Sequence, residues 1–285
     1  MLEVKPFSIS QETIDRAIKL VPEEDLISAS HDYDARTPTT DLLLILSTPR
    51  SGSTLLCDLI DRTGICCPTE YFQPDEYLPI LAQRWDCVRN GALATEAFSM
   101  QLRRYRTSEA GWLGIKLHPT HLPLFEQARP QFGDLRWHGV HLIRRDQIAQ
   151  AISYHIADKT QKWSSAFVSR GEAEYDYSAI LNRLCEIIEG NAILLAAAAT
   201  YELKFETIYY EDLVEDSVAQ LQRIPGIKLD AGKVPKAGLG RQSSPRNQDW
   251  AKRFAAEYKN ERLTHMSQRG GLISQMISCI RKLSP

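Results

Sequence analysis

The 285-residue sequence contains no apolar run approaching the roughly 18 residues that a membrane-spanning helix requires. Its first stretch, "MLEVKPFSISQETIDRAIKL", carries charges where a signal peptide would need an apolar segment, so a cytoplasmic protein is expected. The formal net charge is only -2, which provides no general attraction to nucleic acid or to anionic lipid. Any anion site must then be local. Six cysteines are present, none in a C-x-x-C pair, and Cys66 and Cys67 are adjacent, a spacing that suits neither an ordinary disulfide nor a zinc site. Free thiols are expected. No D-x-D or H-E-x-x-H spacing occurs, so no metal is expected. Internal repeats and low-complexity tracts are missing as well.

What is there reads as strands alternating with helices. Leu42–Leu46 is a short continuous apolar run, as in a strand buried on both faces. Trp112–Leu117, Trp137–Ile143 and Phe205–Tyr210 are further strands. Helices are expected at 10–29, with Ile14, Ala17, Ile18 and Val21 on one face, and at 53–63, 75–84, 92–106, 146–162, 176–201, 211–223, 248–259 and 271–283. The pattern predicts an α/β fold, a central parallel sheet flanked by helices with helical insertions. No linker divides it, so 1–285 is expected to be one domain with its core at about 41–255. Residues 1–30 would hold an N-terminal helix and 271–283 an amphipathic C-terminal helix, suited to packing on the same chain or to a homodimer contact. The run "RRYR" (Arg103–Arg106) reads as a solvated basic helix face.

One stretch carries chemistry. In "LLLILSTPRSGSTLLCDLI" a buried strand hands over to a helix through small residues. Backbone N–H groups there can approach a ligand closely, and the helix directs its positive end at them. Pro49, Arg50, Ser51, Gly52, Ser53 and Thr54 thus suit a phosphate or sulfate, with Arg50 adding a fixed charge. The Walker pattern G-x-x-x-x-G-K-[ST] is absent, so a metal-bound triphosphate lacks its lysine. A plain N-capping loop would use the same residue types.

The loop is similar to the 5′-phosphosulfate loop of sulfotransferases, enzymes that use 3′-phosphoadenosine 5′-phosphosulfate (PAPS). The segment "PTEYFQP" (Pro68–Pro74) resembles the P-x-E-[FY]-F pattern of bacterial carbohydrate sulfotransferases of the trehalose 2-sulfotransferase type, related to the nodulation-factor sulfotransferases. "HLIRRDQIAQAIS" resembles their 3′-phosphate element, a strand-end Arg followed eight positions on by Ser. Arg145 and Ser153 have that spacing, with Arg144 the neighbouring candidate. "GLGRQSSPRNQDW" resembles their C-terminal R-Q…W element, which assigns Arg241 and Gln242 to the same phosphate. The stretch "KTQKW" departs from the usual Q-T-x-x-W by having Lys159 in place of Gln.

The resemblance implies sulfuryl transfer from PAPS to a hydroxyl of a carbohydrate or glycolipid acceptor, without a metal. Glu70 would be the general base, Arg50 would hold the donor, and Lys116 would reach the leaving oxygen or a sugar hydroxyl. Tyr71, Gln73, Lys159 and Trp163 are the acceptor-side candidates. His118 and His121 flank a turn and read as structural histidines, and His141 reads as a core histidine. A P-loop-type small-molecule kinase and a catalytically inactive nucleotide-binding protein remain the alternatives.

Overall fold

The computed structural model describes residues 6–22, 27–33, 37–164, 167–229 and 245–268, with side chains in the last segment described to 261. The first helix, α1, is Gln11–Leu20. Ser10 caps it by accepting from the Thr13 amide, and Val21–Pro22 end it well before the expected residue 29. Ile14 and Ala17 are buried, whereas Ile18, expected on the same face, is exposed.

Strand β1 (Asp41–Ser47) is buried along its whole length. Its alternate residues divide two apolar clusters. Leu42, Leu44 and Leu46 face one, and Leu43 and Ile45 face the other. Next come α2 (Ser53–Arg62), α3 (Tyr77–Arg84) and a small antiparallel hairpin, β2 (Val88–Arg89) with β3 (Ala92–Leu93). Asn90 and Gly91 both take positive φ, the signature of a two-residue type I′ turn. The expected helix at 92–106 therefore starts only at Thr95, as α4 (Thr95–Arg106).

The remaining elements are β4 (Trp112–Leu117), α5 (Leu122–Ala128), β5 (Arg136–Ile143), α6 (Gln147–Thr160), α7 (Tyr177–Thr200), β6 (Lys204–Tyr209), α8 (Tyr210–Glu215), α9 (Ser217–Gln222) and α10 (Pro245–Gln268). The single helix expected at 211–223 is two, because Asp216 leaves helical geometry to cap α9 through the Ala219 amide. The C-terminal helix expected at 271–283 lies outside the described residues.

The main sheet is wholly parallel, in the order β4-β1-β5-β6. From β1 the chain goes first to one neighbour, β4, and later to the other, β5. The crevice beyond the C-terminal end of β1 is therefore the topological switch point, where ligands bind in open α/β sheets.

The basic face expected at Arg103–Arg106 is corrected in part. Arg106 is fully buried, lies over the Tyr71 ring and donates to the carbonyls of Ser28 and His31. Arg103 holds Asp134 in a two-pronged ion pair. The five described cysteines are free thiols, and only Cys185 is exposed.

Candidate anion-binding and catalytic site

The loop at the switch point runs from Thr48 to Gly52. Arg50 sits at φ 64° and Gly52 at φ 96°, both left-handed. Gly52 occupies the N-cap position of α2 and provides no side-chain cap, so the first amides of the helix are not consumed by a neighbouring hydroxyl or carboxylate. That is unlike a plain N-capping loop. Ser51 and Ser53 are buried, Thr54 is half-buried, and Ser51 Oγ is a buried hydroxyl with no hydrogen-bond partner among the described residues.

Helix α6 fixes this loop from the side. Gln150 Nε2 donates to Thr48 Oγ1 at 2.9 Å and to the Pro49 carbonyl at 2.8 Å. One turn on, Ser153 Oγ accepts from Arg50 Nε at 3.1 Å, and another Arg50 nitrogen donates to the Trp163 carbonyl. Burial, and then the nearby Arg144 charge, lower Arg50 to about 10, which leaves it cationic at neutral pH. Arg144 lies over the Tyr210 ring, and its buried Nε has no partner among the described residues.

Glu70 is brought in from β4. The Thr69 carbonyl accepts from the Lys116 amide at 2.9 Å, so the Glu70 segment lies along the β4 edge. Gly114 permits that approach, because a Cβ there would stand 2.8 Å from both Cys66 Sγ and Pro68 Cγ. The Glu70 carboxylate then meets Lys116 Nζ at 2.6 Å, His118 Nε2 at 3.5 Å and His121 Nε2 at 3.6 Å. Burial alone would raise this carboxyl, but Lys116, followed by His118 and His121, holds it well below the usual range.

The hydrogen bonds also settle which ring nitrogens carry protons. His118 Nδ1 is 2.5 Å from the Ser47 carbonyl, which can only accept, so Nδ1 is protonated and Nε2 faces Glu70. His121 Nδ1 accepts from the His118 amide, so its proton is on Nε2, directed at Glu70. Burial lowers His121 to about 3 against the pull of Glu70, so it is neutral at pH 7. Ser47 is the last residue of β1, so the Glu70 cluster is one imidazole away from the start of the anion loop.

The neutral His121 makes stability depend on pH. The unfolded state takes up a proton near 6.5, which the folded state refuses until about 3. Folding stability should therefore fall as pH drops from 7 to 5, where carboxylates contribute little. In His121→Asn the amide oxygen can still accept from the His118 amide, and the slope should flatten. His141, which burial also lowers, keeps part of it. Melting temperature against pH is the measurement, and an unchanged slope in the variant would exclude His121 as the cause.

The other candidates separate. Arg145 is exposed, holds Asp212 in a two-pronged ion pair and stacks on Tyr209, so it does not meet Ser153. Tyr71 is corrected: its ring is fully buried and its hydroxyl donates to the Cys67 carbonyl, which leaves no face for a sugar. Gln73 turns its side-chain carbonyl to the amides of Asp75, Glu76 and Tyr77 at the start of α3. Trp163 lines a groove with Val21, Gln161, Phe167 and Arg170, while Lys159 lines a different one with His155, Tyr175 and Arg253. His141 is buried, with Nε2 3.4 Å from Asn191 Oδ1. Arg241 and Gln242 lie outside the described residues, although Trp250 of the same motif packs against His155 and Tyr175.

Gln150 and Tyr210 were not expected. Gln150 is three positions from Ser153 on one helix, a spacing that shares a face and could have revealed it. Tyr210 directly follows a sheet strand at its C-terminal end, where α/β sites gather.

A family model described as Stf0 sulphotransferase matches residues 43–257. Twelve chains of solved structures match this one. One is mouse sulfotransferase SULT7A1 complexed with PAP, 16% identical, with 79% of this chain and 66% of that chain covered and a TM-score of 0.40. Another is the sulfotransferase domain of the Synechococcus PCC 7002 olefin synthase, 14% identical, covering 78% of this chain and 98% of that one, also at 0.40. The chain thus spans just under two thirds of the length of the mouse protein. No curated protein matches it.

Proposed function

The chain belongs to the Stf0 sulphotransferase family, and from that premise we propose that it moves a sulfuryl group from PAPS to a hydroxyl of a carbohydrate or glycolipid acceptor. The observation that carries this is the meeting of two devices at one sheet end: a lysine-free anion loop with Arg50, and the Glu70–Lys116 pair across His118. The loop amides and Arg50 hold the 5′ phosphosulfate. Glu70 takes the acceptor proton as the new S–O bond forms. Lys116 leaves Glu70 for the bridging oxygen as charge develops there, which is electrostatic stabilisation by a pre-positioned group. Trp163 offers a face to the acceptor. The whole chain acts as one catalytic domain in this reading.

Arg145 and Ser153 are assigned to the 3′-phosphate, with Arg145 exchanging Asp212, and Ser153 exchanging Arg50, for the phosphate. Arg144 lies beside Tyr210 and Arg50, so it serves the 5′ end. Calorimetry tests both assignments and the nucleotide class. 3′-Phosphoadenosine 5′-phosphate should bind more tightly than ATP-magnesium, and the reverse order would favour a kinase. Arg145→Ala should weaken the 3′-phosphate nucleotide by roughly one to two orders of magnitude, since a hydrogen bond to a charged group is worth about 1.5–3 kcal/mol. It should spare the 3′-hydroxyl nucleotide, whereas Arg144→Ala should weaken both. Equal losses for both nucleotides in Arg145→Ala would remove it from the 3′-phosphate site.

A further inference from the structure

Away from the switch point, the fold assembles three donor groups that no sequence spacing connects. His31 lies in a single 3₁₀ turn (Ala29–His31), Asp61 in the last turn of α2, and Cys67 in the segment that leads to Glu70. One ligand atom from each lies within 4.8 Å of the others. Helix α2 has ten residues, so this cluster is about 15 Å from the anion loop at its other end.

Two of the three donors, a carboxylate and a thiol, bind a cation as anions, and the third is an imidazole. The Cys67 Sγ and an Asp61 carboxylate oxygen lie within 4.8 Å of each other and of a His31 ring nitrogen. Arg106 is a fixed positive charge near the cluster, bonded to the Ser28 and His31 carbonyls and sharing Asp32 with Arg84, so the carboxylate and thiolate must outweigh its repulsion of a second cation. His31 and Asp61 are half-buried, which gives a hydrated ion a route in, while Cys67 is fully buried behind them.

We propose that His31, Asp61 and Cys67 bind a divalent transition ion of the zinc class, with the fourth position left to water. One nitrogen, one oxygen and one sulfur donor suit a borderline-soft ion in tetrahedral geometry. On binding, the S–H bond of Cys67 breaks, an S–metal bond forms, and the proton leaves to solvent. The ion then ties the N-terminal segment and the end of α2 to the chain three residues before Glu70. It takes no part in sulfuryl transfer.

Cobalt is the probe. The reduced, chelator-stripped, tag-free full chain should take up one equivalent of Co²⁺, with a thiolate-to-cobalt charge-transfer band and tetrahedral d–d bands, and Zn²⁺ should displace it. Cys67→Ser should abolish the charge-transfer band. His31→Ala should weaken uptake by at least about tenfold. Cys185→Ser, at the exposed thiol, should change nothing. Because His31 is half-buried, its variant decides the matter if Cys67→Ser does not fold, with far-ultraviolet circular dichroism as the check. No charge-transfer band in the wild type, a band that survives Cys67→Ser, or uptake lost with Cys185→Ser would each overturn the site.

Discussion

Glu70→Gln should lower turnover by about 10²-fold or more while nucleotide affinity stays near wild type. Glutamine keeps the size of the side chain but cannot accept a proton. It also ends the 2.6 Å ion pair with Lys116, whose side chain is only 6% exposed. Breaking a buried pair from one side costs about 3–5 kcal/mol. The variant should therefore melt lower, although a site-facing glutamate would ordinarily have few contacts to lose. A second variant separates the two effects. Glu70→Gln/Lys116→Met removes both charges, so stability should return while turnover stays low. Steady-state kinetics with varied acceptor decide the role. A kcat near wild type with a raised acceptor KM in Glu70→Gln would show that Glu70 only orients the acceptor. Because Lys116 holds Glu70 well below the usual carboxylate range, the acid limb of the wild-type rate profile should also lie below that range.

Gly52→Ala should weaken binding of 3′-phosphoadenosine 5′-phosphate by one to two orders of magnitude. Two independent terms act there. Alanine at φ 96° meets a left-handed penalty of about 1–2 kcal/mol. Its methyl would also stand 2.3 Å from Tyr210 Cδ2, so the ring must move, and Arg144 rests on that ring. Either shift turns loop amides away from an anion. Adding Tyr210→Ala opens the space but leaves the φ penalty, so only part of the affinity should return, at the cost of the support beneath Arg144. Calorimetry on the single and double variants measures the split. Wild-type affinity in Gly52→Ala would mean that the left-handed turn is not needed to hold the nucleotide.

The sheet was legible because its signals are local. The uncharged run Leu42–Leu46 is short and followed by Pro49 and Gly52, which favours a strand buried on both faces over a helix, with a tight turn after it. The hairpin around Asn90–Gly91 carried an equally local signal, but two-residue strands have almost no periodicity to register. Site residues were less legible where a side chain had two possible partners. Tyr71 and Gln73 flank Glu70 in sequence, yet one turns into the core and the other into a helix start. A motif gives proximity along the chain and not direction. The histidines show the converse. His118 and His121 gained their place around Glu70 only through the bridge of Thr69 to β4, a contact between segments some way apart in sequence. Arg106 reversed its expected role for a similar reason: the carbonyls that solvate its charge come from the far N-terminal segment.

The placement of β1 at the centre of the sheet has a consequence for synthesis. Its neighbours are β4 and β5, both made later. At about 5–20 residues per second, the chain needs several seconds after β1 to complete the first of them. For that interval Leu42–Leu46 is an uncharged, apolar stretch with its strand edges open, which favours self-association between nascent chains. Asp41 at one end and Arg50 just beyond the other bracket it with charge. Asp41 and Arg50 thus also serve, before there is a sheet, as gatekeepers of a segment exposed to misassembly.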